Sequence, residues 1–185
     1  MTIVLTLPYF IDKEVDAIVR LFDERGIDRL HIRKPEASEA EVADLIAAIP
    51  ARYYDRISIH DHHALAERFG LGGIHLNGRH PVAPSDWPGL VSTSCHSIEE
   101  LELKRREMVN GRPFDYLSLS PIYDSISKQG YQAAFTMSAL DEARNRGIID
   151  YRVLALGGIT FERLAEVEAL GFGGGMILGD AWRGE

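Results

Sequence analysis

The chain has 185 residues, of which 45% are hydrophobic and 26% are charged, and its formal net charge is −8. This length and composition predict one soluble globular domain, spanning 1–185, with a sizeable core. The acidic balance argues against nucleic acid or an anionic membrane as the main partner. No apolar run approaches the roughly 18 residues of a membrane-spanning helix. The single cysteine, Cys95, excludes an internal disulfide and fits a reducing cytoplasm, so we expect a cytoplasmic protein.

Short apolar strands alternate with amphipathic helices along the whole chain. The apolar start breaks at Pro8 and lacks a basic segment, so it predicts a strand and not a signal peptide. The predicted strands, in chain order, are 3–7, 29–33, 56–60, 73–76, 90–94, 116–119, 152–155 and 176–178. Helices are predicted at 12–25, 39–49, 137–146 and 161–170, with others through Leu65 and after Ser97. Ser38 and Ser97 are the expected N-caps of two of these helices.

Eight strands separated by helices, at a spacing of roughly 23 residues, indicate a parallel sheet because each crossover needs a helix. Eight such units predict an α/β fold of the (β/α)8 TIM-barrel type, with its site at the carboxyl ends of the strands. Few residues follow the eighth strand, so the last helix is expected to be short or missing. An open doubly wound sheet is the competing architecture.

The stretch 115–130 is the place where we expect the chemistry. It begins as a strand, and Pro121 then removes a backbone donor before a loop rich in hydroxyl groups. Ser125, Ser127 and Lys128 would offer donors and one flexible positive charge at the carboxyl end of that strand. Such a loop is suited to a phosphate or pyrophosphate group, although an ordinary polar loop would have the same composition.

Other strand ends would supply further groups to the same rim of a barrel. Arg33 would be a second cation for a polyphosphate, and Asp61 is a candidate ligand of Mg²⁺ bridging that polyphosphate. Glycines after the last two strands would expose backbone N–H groups where barrels often bind phosphate, namely Gly157, Gly158 and Gly179. Two anion sites on one rim would suit a reaction that joins two phosphorylated small molecules.

The histidines allow a second interpretation. His60 and His62 would share one face of a strand, and such a pair can bind Zn²⁺ in a metal-dependent hydrolase. A helix starting near His62 would disturb that spacing, so we favour the phosphate site. His75 is expected to be a hydrogen-bonded core residue, and Cys95 a buried thiol.

Four segments of the chain match a known family pattern in order. They are Gly73-Ile74-His75-Leu76, Ser94 with His96-Ser97 and Glu99-Glu100, Asp115-Tyr116 through Pro121-Ile122-Tyr123 to Ser127-Lys128, and Ala155-Leu156-Gly157-Gly158-Ile159. On these segments the chain resembles the thiamine phosphate synthase family, which includes the related thiazole tautomerases. The resemblance implies a barrel enzyme, a transferase of thiamine biosynthesis that joins hydroxymethylpyrimidine pyrophosphate to a thiazole phosphate and releases pyrophosphate with the help of Mg²⁺.

The resemblance also implies roles for individual residues. The pyrophosphate would be held by Arg33, Ser94 and Lys128, with Asp61 on Mg²⁺. Substrates would further contact residues elsewhere on the rim, namely His60, Ser125, Ser127, Gly157, Gly158, Leu178 and Gly179. The expected partners are these small phosphorylated substrates, with a homo-oligomer as an open alternative.

The chain departs from the family pattern at several of its functional positions. Pro35 stands where the family has a lysine, and Lys34 could replace that lysine only if the strand has already ended. His60 stands for an asparagine, and the second metal-binding aspartate is replaced by His80 or its neighbours. Pro121 stands for the proton-transferring histidine of the tautomerases. Synthase activity remains the first hypothesis despite these departures. A tautomerase-like enzyme and a non-catalytic barrel that binds phosphorylated ligands are the alternatives.

Overall fold

A computed structural model describes residues 1–124 and 134–184, which contain ten strands. These strands are β1 (Thr2–Leu5), β2 (Arg29–Ile32), β3 (Ile57–Ile59), β4 (Gly73–Leu76), β5 (Leu90–Cys95), β6 (Met108–Val109), β7 (Arg112–Pro113), β8 (Tyr116–Leu119), β9 (Val153–Leu156) and β10 (Gly175–Ile177). Eight of them are parallel and close into a barrel in the order β1-β2-β3-β4-β5-β8-β9-β10, with β10 pairing back to β1. The predicted (β/α)8 barrel is confirmed, and the open doubly wound sheet is excluded because no barrel strand has a free edge.

Helices cover the outside of the barrel. The described α-helices are α1 (Glu14–Asp23), α2 (Glu39–Ala48), α3 (Ala64–Phe69), α4 (Ile98–Lys104), α5 (Met137–Asn145) and α6 (Leu164–Ala169). The predicted caps form, since Ser38 makes a capping box with Glu41 and the Ser97 side chain accepts from the amide of Glu100. Along the described chain, no helix is both long enough and apolar enough to span a bilayer.

The two faces of the barrel strands carry different side chains. Alternate residues of a strand point to opposite faces, so on β2 Leu30 and Ile32 pack outward under the helices while His31 points into the barrel. Ser118 lies between two leucines in the same way on β8, and on β5 Ser92 and Ser94 lie on either side of Thr93. A small apolar cluster fills one part of the interior, formed by Ile3, Leu5, Tyr116, Leu154 and Met176. The rest of the interior is polar, and it lies beneath the candidate site.

Two features of the fold were not predicted from the sequence. A two-stranded antiparallel hairpin, β6–β7, precedes β8. After β10 the chain forms a short 3-10 helix, Gly179–Trp182, and the buried indole of Trp182 donates to the carbonyl of Leu5 at 2.7 Å. The short length of this helix agrees with the prediction, whereas the contact of Trp182 with Leu5 at the end of β1 was not predicted.

Candidate active site

A cavity of about 860 Å³ lies at the carboxyl ends of the barrel strands. Seven of the residues predicted for the site line it, namely Arg33, His60, Ser94, Gly157, Gly158, Leu178 and Gly179. Because the strands are parallel and closed, these residues meet although they are far apart in sequence. The cavity therefore brings together the groups that were expected on one rim.

Arg33 follows the last residue of β2 and supplies a positive charge to the cavity. Thr6 fixes its backbone, since the threonine hydroxyl accepts from the amide of Arg33 at 2.9 Å. Among the residues that the structure describes, no carboxylate forms an ion pair with the half-buried guanidinium. Its charge also helps to lower the pKa of His60, after the larger effects of burial and of the neighbouring histidines. Arg33 is thus available to an anionic ligand.

Lys34 does not serve the cavity, and its suggested role as a replacement for the missing family lysine is wrong. The strand has ended at Ile32, but the ammonium group of Lys34 is buried and bonds to Glu14 at 2.6 Å and to the carbonyl of Tyr9 at 2.5 Å. The ring of Phe10 lies 4.7 Å from the same nitrogen. Burial lowers the pKa of Lys34, and the hydrogen bond that its ammonium group donates to Glu14 opposes that shift. Lys34 therefore anchors the loop between β1 and α1.

Asp61 is buried beside the cavity, and one of its carboxylate oxygens accepts hydrogen bonds from an arginine. Arg79 donates to Oδ1 from both Nε (3.0 Å) and Nη2 (2.7 Å), and His80 Nε2 lies 3.5 Å away. The loop that places Arg79 depends on Asn77, whose side chain donates to the carbonyl of His60 and accepts from the amides of Arg79 and His80. Arg79 lines the cavity, so its guanidinium adds a second positive charge there.

The carboxylate of Asp61 fits a Mg²⁺ site with a single protein ligand. Its Oδ2 atom is buried and has no hydrogen-bond partner within residues 1–124 and 134–184. Mg²⁺ is commonly held by one or two carboxylates together with the phosphate oxygens of the substrate. One free carboxylate oxygen beside a polyphosphate would meet that requirement.

The glycines after β9 are required by close packing of the segment that follows β8. The amide of Ile122 donates to the carbonyl of Leu156 at 2.9 Å, and that of Tyr123 donates to Gly157 at 3.1 Å. A Cβ atom on Gly158, whose φ is +65°, would lie 2.5 Å from the carbonyl oxygen of Asp124. In the described part of the chain, the amide of Gly158 has no acceptor. It remains available to a phosphate oxygen.

We expect Gly158→Ala to destabilise the fold more than Gly70→Ala. Both glycines have nearly the same φ, +65° and +67°, but a Cβ on Gly70 would meet no atom within 4 Å. The left-handed backbone alone costs about 1–2 kcal/mol for alanine, and crowding at Gly158 adds about 1–3 kcal/mol. Urea unfolding of the two variants measures the difference. Equal losses would show that the segment of Asp124 moves aside without cost.

Ser94 and the histidines form a hydrogen-bonded group on the cavity floor. His75 contacts Ser92 Oγ with Nδ1 (2.9 Å) and Ser94 Oγ with Nε2 (3.1 Å), and Ser118 donates to Ser94 at 2.8 Å. The rings of His60 and His75 are stacked, with their centroids 4.1 Å apart. His75 is thus a hydrogen-bonded interior residue, as predicted, but it also lines the cavity.

Burial keeps the interior histidines neutral. It lowers the pKa of His31 and of His60 well below the usual value, and the charges of neighbouring histidines add to both shifts. Burial, with His63 and Arg33, lowers the pKa of His75 to about 3. The floor of the cavity therefore offers neutral hydrogen-bonding groups, while the positive charges lie on Arg33 and Arg79.

The alternative pairing of His60 with His62 as zinc ligands, which we did not favour, does not form. His62 has a positive φ of 54° and bonds through Nε2 to the carbonyl of Ala37 at 2.9 Å, so its ring turns away from His60. Cys95 is a buried thiol, as predicted, and burial raises its pKa to about 12. It is not paired with His96, whose Nδ1 contacts Ser120 Oγ.

Three predicted residues, Ser125, Ser127 and Lys128, lie outside the described residues. Their roles stay predictions. The strand before them, β8, forms as predicted, and the two residues that follow it, Ser120 and Pro121, line the cavity.

Three residues of the site were missed in the sequence. Arg79 was considered only as a neighbour of His80, which stands for the second metal-binding aspartate. His31 and Tyr116 were assigned to strands without a role in the site. The alternation of polar and apolar residues in β2, β5 and β8 was the available signal. An alternation of this kind in a strand expected to be buried on both faces indicates a polar barrel interior.

Comparison with known proteins gives a consistent result. The family model for thiamine monophosphate synthase matches residues 5–177. A thiamine-phosphate synthase of Yersinia pestis is 30% identical over 157 residues, which cover 80% of this chain and 70% of that protein. A thiamine-phosphate synthase of Shigella dysenteriae is 30% identical over 174 residues, covering 89% and 79%.

A solved structure supports the same assignment. The thiamine phosphate pyrophosphorylase of Bacteroides thetaiotaomicron superposes with a TM-score of 0.84 and is 42% identical, covering 98% of this chain and 84% of that one. The fold, the cavity and the sequence matches therefore agree. The chain belongs to the thiamine monophosphate synthase family, and it is an enzyme of the transferase class that acts on small phosphorylated substrates.

Proposed function

We propose that the cavity couples hydroxymethylpyrimidine pyrophosphate to a thiazole phosphate and releases pyrophosphate. One observation carries this proposal: the cavity has Arg33 and Arg79 beyond the ends of β2 and β4, and after β9 it has the amide of Gly158, which has no acceptor among the described residues. Each feature suits an anion. Two anion-binding features on one cavity match two phosphorylated substrates.

The residues act by binding and by stabilising charge. Arg33 and Lys128 hold the pyrophosphate and balance the negative charge that builds up on it as it leaves. Ser94, Ser125 and Ser127 donate hydrogen bonds to its oxygens. Once the pyrophosphate has left, the thiazole nitrogen attacks the resulting pyrimidine carbocation, so no covalent protein nucleophile is needed.

The remaining groups orient the second substrate and the metal. Gly157, Gly158, Leu178 and Gly179 receive the thiazole phosphate through their backbone. Asp61 would hold Mg²⁺, which would supply further positive charge to the pyrophosphate. His60 contacts the pyrimidine substrate on the cavity floor. A cytoplasmic location and a homo-oligomeric state remain predictions.

Mixing the purified protein with both substrates, with and without Mg²⁺, tests the reaction. We expect thiamine phosphate and pyrophosphate to form together and to require the metal. An Asp61→Asn variant should need a higher Mg²⁺ concentration for half-maximal activity, because the amide supplies a weaker ligand. If folded protein forms neither product, the synthase proposal is wrong, and the tautomerase-like and ligand-binding alternatives take its place.

We expect Lys128→Ala to remove turnover and leave the fold intact. A lysine at the rim of a barrel adds little to stability, whereas its charge would be needed when pyrophosphate leaves. Steady-state kinetics and thermal unfolding of the same preparation separate the two effects. Lys104→Ala is a matched control, because Lys104 also lines the cavity but is engaged by Glu107 at 2.6 Å. Full activity of Lys128→Ala would contradict its assignment to the pyrophosphate.

A further inference from the structure

A hydrogen-bonded chain runs through the barrel interior from its amino-terminal end to the cavity. Arg29 Nη1 donates to Ser58 Oγ at 3.3 Å. Ser58 bonds to the phenolic oxygen of Tyr116, whose hydroxyl lies 2.5 Å from His31 Nε2. His31 Nδ1 is 2.9 Å from His60 Nε2, and His60 lines the cavity. The five residues come from β2, β3 and β8 and the residue after β3.

The contact between Tyr116 and His31 sets the direction of the rest of the chain. A phenol is a stronger acid than the N–H group of a neutral imidazole, so at 2.5 Å the hydroxyl of Tyr116 donates to His31 Nε2. The other hydrogen bonds of the phenol agree with this direction, because those from Ser58 and Ser92 lower the pKa of Tyr116 against the larger opposing effect of burial. Ser58 has a proton to donate, since it accepts from Arg29, whose guanidinium has only donors.

The same direction of donation continues through the imidazoles of His31 and His60 to the cavity. Both are buried, and each hydrogen bond along the chain pairs one donor with one acceptor. Because His31 accepts at Nε2, its proton is on Nδ1 and is donated to His60 Nε2. His60 must therefore carry its proton on Nδ1.

That N–H group of His60 is the one left for a ligand. Among the described residues, no acceptor contacts His60 Nδ1, and this atom is not among the fully buried unpartnered atoms. Both nitrogens of the stacked neighbour His75 are taken by Ser92 and Ser94. His60 thus faces the cavity with a hydrogen-bond donor whose position is set by the barrel interior.

We infer that Tyr116 and His31 are positioning residues that hold His60 as a donor, and that His60 Nδ1 donates to a ring nitrogen of the pyrimidine substrate. The second half of this inference rests on the proposed function, whereas the tautomer of His60 does not. A ring nitrogen of a pyrimidine is a hydrogen-bond acceptor, so it complements a fixed N–H group. The opposite tautomer would present a lone pair and repel it.

A metal ion is the competing explanation for this cluster. Nitrogen atoms of His31, His60 and His75 lie within 4.8 Å of one another. However, the rings of His60 and His75 are stacked at an interplanar angle of 22°, and an ion in the plane of one ring would lie out of the plane of the other. The hydrogen-bonded arrangement already satisfies His31 and His75, so we favour it.

Nitrogen NMR of the full chain labelled with ¹⁵N-histidine tests the tautomer without any substrate. Protonated and unprotonated ring nitrogens have well-separated ¹⁵N shifts, so we expect His60 and His31 each to be protonated on Nδ1 and not on Nε2. Tyr116→Phe should give mixed tautomers at both histidines. Tyr54→Phe is the matched control, since its hydroxyl bonds to the carbonyl of Ile46 outside the barrel interior, and it should change neither histidine.

Two NMR results would overturn the tautomer assignment. One is a proton on His60 Nε2 in the unmodified protein. The other is a joint shift of the signals of His31, His60 and His75 on adding one equivalent of Zn²⁺, which would identify a metal site.

Kinetics test the contact with the pyrimidine. Tyr116→Phe should raise the KM for hydroxymethylpyrimidine pyrophosphate about tenfold, the effect of one hydrogen bond, and leave the KM for thiazole phosphate unchanged. His60→Asn should retain more activity than His60→Leu, because an amide can donate from nearly the position of Nδ1. Equal effects on both KM values would overturn the pyrimidine contact while the NMR result stands. Absence of product with unmodified protein would instead overturn the proposed function.

Discussion

Replacing Lys34 with methionine is expected to lower the free energy of unfolding by about 3–5 kcal/mol, the usual cost of removing one partner of a buried ion pair. The side chains of Lys34 and Glu14 are 0% and 4% exposed, and they lie 2.6 Å apart. Without the ammonium group, the carboxylate of Glu14 would be buried without a counter-charge, and its Oε2 already has no hydrogen-bond partner among the described residues. Urea unfolding measures the loss.

Two further variants separate the ion pair from simple packing. Lys34→Met combined with Glu14→Leu removes both charges, so it should recover most of the lost stability. Arg106→Met breaks the pair with Glu102, which has the same 2.6 Å distance but a guanidinium side chain that is 71% exposed. That exposed pair should contribute less than about 1 kcal/mol. A loss from Lys34→Met no larger than that from Arg106→Met would contradict a structural role for Lys34.

Replacing Arg33 with alanine is expected to lower kcat by about 10²–10³-fold, comparable to the removal of one group that stabilises a developing negative charge. The guanidinium lines the cavity, and no carboxylate of the described residues neutralises it. Its charge would therefore act directly on the departing pyrophosphate. Steady-state kinetics with both substrates at saturation measure the effect.

The control for Arg33→Ala is Arg68→Ala, which changes the net charge equally. Arg68 is exposed on α3, where its guanidinium lies 5.2 Å from the centroid of the Phe69 ring, so its loss should leave kcat unchanged. Arg33→Lys should recover only part of the activity, because an ammonium group cannot form the two parallel hydrogen bonds of a guanidinium. If both alanine variants retain full activity, Arg33 does not stabilise the leaving group.

The position of Arg33 at the cavity was predictable from sequence, and the ion pair of Lys34 was not. Both follow an apolar segment that ends at Ile32, and both are cations near the end of a strand. One of them reaches the cavity, and the other reaches Glu14, which lies on α1. Sequence order does not show which partner each side chain meets, because the direction of a side chain beyond a strand depends on the packing of the next loop.

For Asp61 as well, the sequence predicted the position of the residue but not its contacts. Its place after β3 made it a candidate metal ligand, and the structure places it beside the cavity. Its pairing with Arg79 depends on a loop built around Asn77, which closes through backbone hydrogen bonds between Asn77 and His80. The negative charge of Asp61 is thus balanced by an arginine that follows a different strand. The sequence does not reveal this contact.

The sequence by itself determined the architecture and the residues at the rim of the barrel. Regular alternation of strands and helices requires parallel crossovers, and parallel crossovers place every strand's carboxyl end on one face. Only the tertiary structure decided which rim residues carry free charge and how the interior hydrogen bonds are directed. The hydrogen-bonded chain in the interior is formed by Arg29, Ser58, Tyr116, His31 and His60, of which the most distant in sequence, Arg29 and Tyr116, are 87 residues apart. These residues meet in that order only because the closed barrel brings their strands together.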